Sequence, residues 1–178
     1  MGKKVLVTGA TGFIGSWVAK QLMLDSLSVQ CVVRSSQPFE MRDHVIVGDI
    51  RDSAVAKEAT SGVDTVLHFA AAVHRRATRD EYISINVEGT KNLAQAAAAN
   101  GVDHFILASS VSVYGSGNVN FNEDSPCNPD TPYGRSKLMA EEALEAIAET
   151  TGMKVTVLRL STVYGEGEPG NILRLIKA

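Results

Sequence analysis

Six short apolar runs punctuate the chain, and between most of them apolar residues return every three or four positions. The runs fall at 5–8, 29–34, 45–48, 64–69, 104–108 and 154–160, and the helical periods at about 13–24, 52–60, 80–99 and 132–150. Runs this short and this rich in Val and Ile predict strands, whereas the longer periodic stretches predict amphipathic helices. Strands that alternate with helices imply a parallel sheet covered on both faces. Right-handed crossovers then favour a doubly wound sheet with strand order 3-2-1-4-5-6. One long stretch, 115–131, has neither period and is rich in Asn, Gly, Pro and Ser. A loop of that length inside a compact domain usually serves function.

At 178 residues the chain is long enough for one domain with a substantial core, and hydrophobic residues make up 44% of it. The net charge of −3 comes from interspersed signs, which argues against nucleic acid as a partner. No apolar run reaches the length of a membrane span. Residues 1–4 lead directly into the first strand, so no signal peptide is expected. Cys31 and Cys127 stand far apart, and Cys31 reads as a buried thiol. No metal-ligand spacing is present, so no metal is expected. A reducing, cytoplasmic setting fits these features.

Chemistry first enters at the turn after the first strand. Gly9, Gly12 and Gly15 are spaced G-x-x-G-x-x-G between an apolar strand and a helix. Such a turn needs a glycine where side chains are forbidden, a second where the backbone approaches a diphosphate, and a third where helix meets strand. The free amides and dipole of the helix start then favour the phosphates of a dinucleotide. Ligands of doubly wound sheets lie beyond the carboxyl ends of the strands. There the second run ends in Arg34, which can pair with a ribose 2′-phosphate, stack on adenine or simply face solvent. After the third run, Asp49 can hold an adenine amino group or cap the next helix.

Two helices carry the remaining candidates. In 80–99 a stripe of Tyr82, Ile85 or Asn86, Gly89, Leu93, Ala96 and Ala97 faces inward. An inward amide needs a partner, so Asn86 is expected to have one, structural or catalytic. In 132–150 Thr131 is a natural N-cap and Pro132 suits the first helical position. The stripe Tyr133, Lys137, Ala140, Leu144 and Ile147 then points a phenol and an ammonium toward the strand ends. A lysine there either snorkels outward or serves chemistry. A free tyrosine has a pKa of about 10, and a neighbouring ammonium and a cationic nicotinamide would both lower it. Tyr133 could then take a proton from an alcohol as hydride leaves the same carbon, with Ser110 holding the oxygen and Lys137 the nicotinamide ribose.

Taken together, several segments resemble the extended short-chain dehydrogenase/reductase family, in its sugar-nucleotide epimerase/dehydratase branch. They are Thr8-Gly9-Ala10-Thr11-Gly12-Phe13-Ile14-Gly15, Gly48-Asp49-Ile50-Arg51-Asp52, His68-Phe69-Ala70-Ala71 and Asn86-Val87-Glu88-Gly89-Thr90. Ser109-Ser110, Val113-Tyr114-Gly115 and Glu123-Asp124-Ser125-Pro126 follow. Pro132-Tyr133-Gly134-Arg135-Ser136-Lys137 and Arg159-Leu160-Ser161-Thr162-Val163-Tyr164-Gly165 complete the set. The resemblance implies a Rossmann-type sheet that binds NAD or NADP, with Ser110, Tyr133 and Lys137 catalytic. It implies that Phe69, Ala70 and Ala71 pass under the cofactor and that Asn86 braces the site. It further implies cofactor contacts at Thr11, Phe13, Ile14, Ser35, Ile50, Val73 and Ser161, and substrate contacts at Ser110, Ser112 and Thr162.

Three departures shape the expected function. Dehydratases of this branch carry an Asp-Glu pair just after the catalytic Ser or Thr, where this chain has Val111 and Ser112. Arg34 replaces the acidic residue typical of NAD-preferring relatives, which tilts the cofactor toward NADP. Thr162 stands where many of these enzymes have Asn. Residues 1–178 are read as the dinucleotide-binding domain, with 165–178 the start of a substrate-binding region that relatives continue. Without that region the chain is expected to bind a dinucleotide and to catalyse poorly. The apolar positions 172–176 would then self-associate or fray. The resulting expectation is an epimerase that transiently oxidises a ring hydroxyl of a nucleotide sugar, assembled as a homodimer. The alternatives are an NADP-dependent reductase of a non-sugar carbonyl and an NAD(P)-binding protein without turnover.

Overall fold

A computed structural model describes residues 3–35, 44–73, 77–117 and 120–167. The segment 172–176 therefore lies outside the described residues. Six parallel strands form one sheet in the order β3-β2-β1-β4-β5-β6, as the alternation predicts. They are β1 (Lys4–Thr8), β2 (Ser28–Val33), β3 (Val45–Val47), β4 (Thr65–His68), β5 (His104–Ser110) and β6 (Lys154–Leu160). The registers Thr8 to Val32, Thr8 to His68 and His68 to Leu107 bring the carboxyl ends to one edge. β1 and β4 are neighbours at the point where strand order reverses, so their ends open the crevice where such sheets bind ligands.

The central strands are buried on both faces, which explains why they read as continuous apolar runs. On one face Leu6, Val66, Phe105 and Leu107 pack under α2 (Ser53–Thr60), α4 (Gly89–Ala99) and α5 (Pro132–Thr151). On the other, Val5, Val7, Val29 and Cys31 pack against Ala19 and Leu22 of α1 (Phe13–Leu24). The Cys31 thiol is fully enclosed there, and burial pushes its pKa up to about 12.

The helix expected over 80–99 is three pieces on one path. A single turn of α3 (Arg79–Tyr82) passes through a π-helical segment, Ile83–Glu88, into α4. Tyr82, Asn86, Gly89, Leu93 and Ala97 are buried as the stripe predicts, and the wider turn adds Val87 and Thr90 to it while Ile85 and Ala96 are only partly buried. A period of 3.6 could not show it. The stretch 115–131 holds no helix or strand among its described residues, and its ends are tied together where Asp130 accepts from Ser116 N at 3.1 Å. Among the described residues no helix is long and apolar enough to cross a membrane.

Candidate active site

The turn between β1 and α1 is built as its glycines require. Gly9 has φ +69°, and a Cβ there would meet Ala70 N and the Phe69 carbonyl carbon at 2.6 Å. A Cβ on Gly15 would overlap the Gly9 carbonyl. The turn is therefore pressed against the segment leaving β4, which contains Phe69, Ala70 and Ala71, all partly buried. Gly12 is the N-cap of α1 and offers no side-chain oxygen, and the first turn of α1 has no acidic residue. By contrast, α2, α3 and α5 are each capped by a side chain, from Asp52, Thr78 and Thr131 respectively. The amides of α1 are left for an anion from outside the chain, and Thr11 and Gly12 stand exposed beside them with Phe13 and Ile14 half-buried.

Further along the edge, Arg34 and Ser35 leave β2 exposed to solvent. Asp49 does not cap α2, because Asp52 does so by accepting from Ala54 N at 2.8 Å. Asp49 instead accepts from Arg51 N, Nε and Nη2 at 2.9, 2.9 and 2.6 Å. These bonds hold its carboxyl below the usual range, and the Arg34 charge lowers it further. The Ile50 side chain turns into the core beneath Gly89. Val73 is exposed beyond β4, and Ser161 and Thr162 are exposed beyond β6.

At the other side of the crevice, α5 presents its polar stripe. Lys137 does not snorkel: it is 2% exposed, and burial depresses its ammonium to about 8, opposed by the Glu141 charge one turn on. Tyr133 differs from expectation. Burial raises the phenol above its ordinary value, a hydrogen bond with Ser110 opposes this, and the nearby Tyr82 adds to the rise. The rings of Tyr82 and Tyr133 are 6.0 Å apart. Desolvation outweighs any charge already in the chain, so the phenol is held protonated.

Ser110 ends β5 and caps the 3₁₀ turn Val111–Tyr114. Its Oγ accepts from Ser112 Oγ at 2.8 Å and from Ser112 N at 3.2 Å. With its lone pairs so engaged, the Ser110 proton is free to be given to Tyr133 or to a substrate oxygen. Val111 is 41% exposed. Neither position after Ser110 thus holds a carboxyl group.

Asn86 has the partners its burial demands. Its Oδ1 accepts from Ala72 N at 2.7 Å, while its Nδ2 donates to Ala72 O at 3.1 Å and to Ser136 Oγ at 2.9 Å. It pins the strand-4 extension to α5. Sequence reasoning missed a second buried group. Glu141, 1% exposed, accepts from the Ser109 hydroxyl and from Arg159 Nε and Nη2 at 3.1 and 2.8 Å. Arg159 also donates to the Tyr114 hydroxyl at 2.9 Å and lies 5.0 Å from the centre of its ring. The signal was present, since Glu141 falls on the same inward stripe as Lys137 and Leu144 and an acid there needs a cation. Among the described residues no group of His, Cys, Asp or Glu is gathered to hold a metal ion.

Comparison with known proteins places this geometry. A sequence model of the NAD dependent epimerase/dehydratase family matches residues 5–178. The N-acetyl-alpha-D-glucosaminyl-diphospho-ditrans,octacis-undecaprenol 4-epimerase of Escherichia coli O157:H7 is 34% identical over 181 residues, covering 99% of this chain and 54% of that protein. The mouse dTDP-D-glucose 4,6-dehydratase is 36% identical over 181 residues, covering 92% of this chain and 51% of its own length. Among solved structures, MoeE5 in complex with UDP-glucose and NAD superposes with a TM-score of 0.88 at 34% identity, covering 99% of this chain and 60% of that one. The chain thus spans about half to three-fifths of the length of these relatives.

Proposed function

Because the chain belongs to the NAD-dependent epimerase/dehydratase family, we propose that it binds NAD or NADP and forms the cofactor half of an enzyme that epimerises a nucleotide sugar through a transient ketone. The carrying observation is the meeting, at one sheet edge, of an uncapped helix start with Ser110, Tyr133 and Lys137. The residues fit a dinucleotide. The glycine turn leaves room where side chains would collide, and the α1 amides would hold the diphosphate. Phe69, Ala70 and Ala71 would form the floor, and Lys137 would reach the nicotinamide ribose.

When bound, the oxidised dinucleotide supplies a hydride acceptor and a positive charge beside the phenol. With that charge and Lys137 beside it, Tyr133 would first lose its own proton to solvent, and the phenolate would then take the proton of a ring hydroxyl in the forward direction and return it in the reverse. Ser110 donates to the substrate oxygen as it changes from alcohol to carbonyl, a role its acceptor bonds to Ser112 leave it free to play. Lys137, at about 8, keeps most of its charge at neutral pH and favours the phenolate when Tyr133 ionises.

Epimerisation is favoured over loss of water because Val111 and Ser112 provide neither a general acid nor a general base. UDP-glucose, the ligand of MoeE5, and the diphosphate-linked sugar of the undecaprenol enzyme define the substrate class to try first. Arg34, exposed at the end of β2 where a 2′-phosphate would lie, favours NADP and a net reductase as the second reading.

The test loads the protein with NAD and follows UDP-glucose by proton NMR. Inversion at one ring carbon with no net NADH is expected, at the low rate of a cofactor half on its own. Accumulation of reduced cofactor in step with product would mean a net dehydrogenase and contradict epimerisation, and a 4-keto-6-deoxy sugar would overturn the argument from Val111 and Ser112.

A further inference from the structure

We propose that His68 is a positioning residue that ties the glycine turn to the helix carrying Tyr133 through a directed chain of buried hydrogen bonds. The inference rests on the dinucleotide reading of that turn. His68 ends β4 beside Thr8 of β1, is 1% exposed, and has its ring edge-on to Phe105 at 5.7 Å. It touches neither end of the proposed reaction. Its neighbours do.

The protons in this chain have one consistent arrangement. The Thr90 hydroxyl gives its single proton to Asn86 O at 2.7 Å, so it can only accept from His68 Nε2 at 2.9 Å. That fixes the Nε2–H tautomer and leaves Nδ1 bare. Nδ1 then accepts from the Thr8 hydroxyl at 2.6 Å, and Thr8 Oγ1 in turn accepts from Ala70 N at 3.2 Å. Beyond Thr90, the Asn86 amide donates to Ser136 Oγ at 2.9 Å, and Ser136 donates to the Tyr133 carbonyl at 2.7 Å.

Thr8, His68, Thr90, Asn86 and Ser136 are all at most 1% exposed. The bonds from Thr8 through His68 and Thr90 to Asn86 and Ser136 therefore have no water to replace them. The series starts one residue before Gly9 and ends on the backbone of Tyr133. An imidazolium would donate at both nitrogens and leave the Thr8 proton without an acceptor. Burial, aided by the Lys137 charge, holds the ring neutral by pushing its pKa down to about 3. A neutral ring with one donor and one acceptor is the only state that joins the two threonines.

The consequence is mechanical. A ligand that settles the glycine turn and the β4 extension should also settle the first turn of α5, even if it never reaches Tyr133. Adenosine diphosphate is such a ligand, because it can fill the phosphate turn but has no nicotinamide.

Two measurements test the inference. In the ligand-free protein, nitrogen NMR of the imidazole should show a protonated Nε2 and a bare Nδ1 across the ordinary histidine range. The opposite tautomer, or a ring that titrates there, would overturn it. Amide exchange then follows the turn and the 134–137 amides with and without adenosine diphosphate. In the native protein both should slow, the α5 amides by roughly three- to tenfold, as for one net hydrogen bond. His68→Leu should keep the first effect and lose the second, and His68→Gln, with one donor and one acceptor, should restore it. Thr90→Val cuts the chain one bond further on and gives the same expectation if His68→Leu does not fold. Slowing at α5 that survives both cuts would sink the link. Failure of adenosine diphosphate to bind the native protein would count against the dinucleotide reading, and the tautomer would still decide the assignment of His68.

Discussion

The starts of α1 and α5 are the two helix starts on which the site is built, and they are built in opposite ways. At α1 the N-cap is Gly12, with no side-chain acceptor and no acidic residue in the first turn. At α5 the Thr131 hydroxyl accepts from Gly134 N at 3.0 Å and Pro132 removes a donor that would otherwise need a partner. One start leaves its amides open; the other closes them. An open start is a site for a charge from outside, whereas a closed one is rigid and can aim side chains. Tyr133 and Lys137 belong to the closed start, and chemistry that depends on placement within hydrogen-bond reach benefits from that rigidity.

The largest effect should come from the closed start. Tyr133→Phe removes only a hydroxyl and should lower turnover by about a hundred- to ten-thousandfold. Cofactor affinity should stay within a few-fold, because the phosphates sit at α1. A matched loss of affinity, measured by calorimetry, would show that the two starts do not divide the work.

Next comes an attempt to close the open start. Gly12→Asp gives α1 the cap that α2 has in Asp52, with the new Cβ 3.1 Å from the Gly9 carbonyl oxygen, tight but short of overlap. The carboxylate would take the place of the diphosphate. NAD affinity should fall roughly tenfold to a hundredfold, while the thermal midpoint of the free protein holds. Unchanged affinity would mean that the open amides do not bind the ligand.

Arg34→Ala extends the comparison along the edge from α1. If the guanidinium meets a 2′-phosphate, the variant should lose roughly tenfold in affinity for NADP and little for NAD. Equal losses would place Arg34 on the adenine instead. The smallest effect belongs to Thr131→Ala, which reopens α5. It should cost about 1 kcal/mol, a drop of about 2–4 °C in thermal midpoint, with no new affinity for phosphate.

Much of this was legible from residue pattern. All six strands and their order followed from apolar runs broken by helical periods, the central ones most plainly because strands buried on both faces cannot hide their composition. The inward stripe of α5 followed in the same way. The π-helical segment at Ile83–Glu88 did not, since one extra residue per turn leaves the residue types unchanged and shifts only their phase. Asp49 was a plausible cap for α2, and only the backbone path after β3 gave that place to Asp52 instead. The raised phenol of Tyr133 was hidden for another reason. The sequence places the lysine nearby but does not tell how much water the ring has lost. Glu141 and Arg159 lie eighteen residues apart and meet only because α5 packs on β5 and β6.

The central claim is that the open start of α1 is a diphosphate site facing a prepared Tyr133. Calorimetric titration of NAD into the ligand-free protein, repeated in the presence of adenosine diphosphate, tests it most directly. The account predicts saturable binding of one NAD per chain, weakened in proportion to the adenosine diphosphate added. No saturable binding, or NAD binding that adenosine diphosphate leaves untouched, would contradict it.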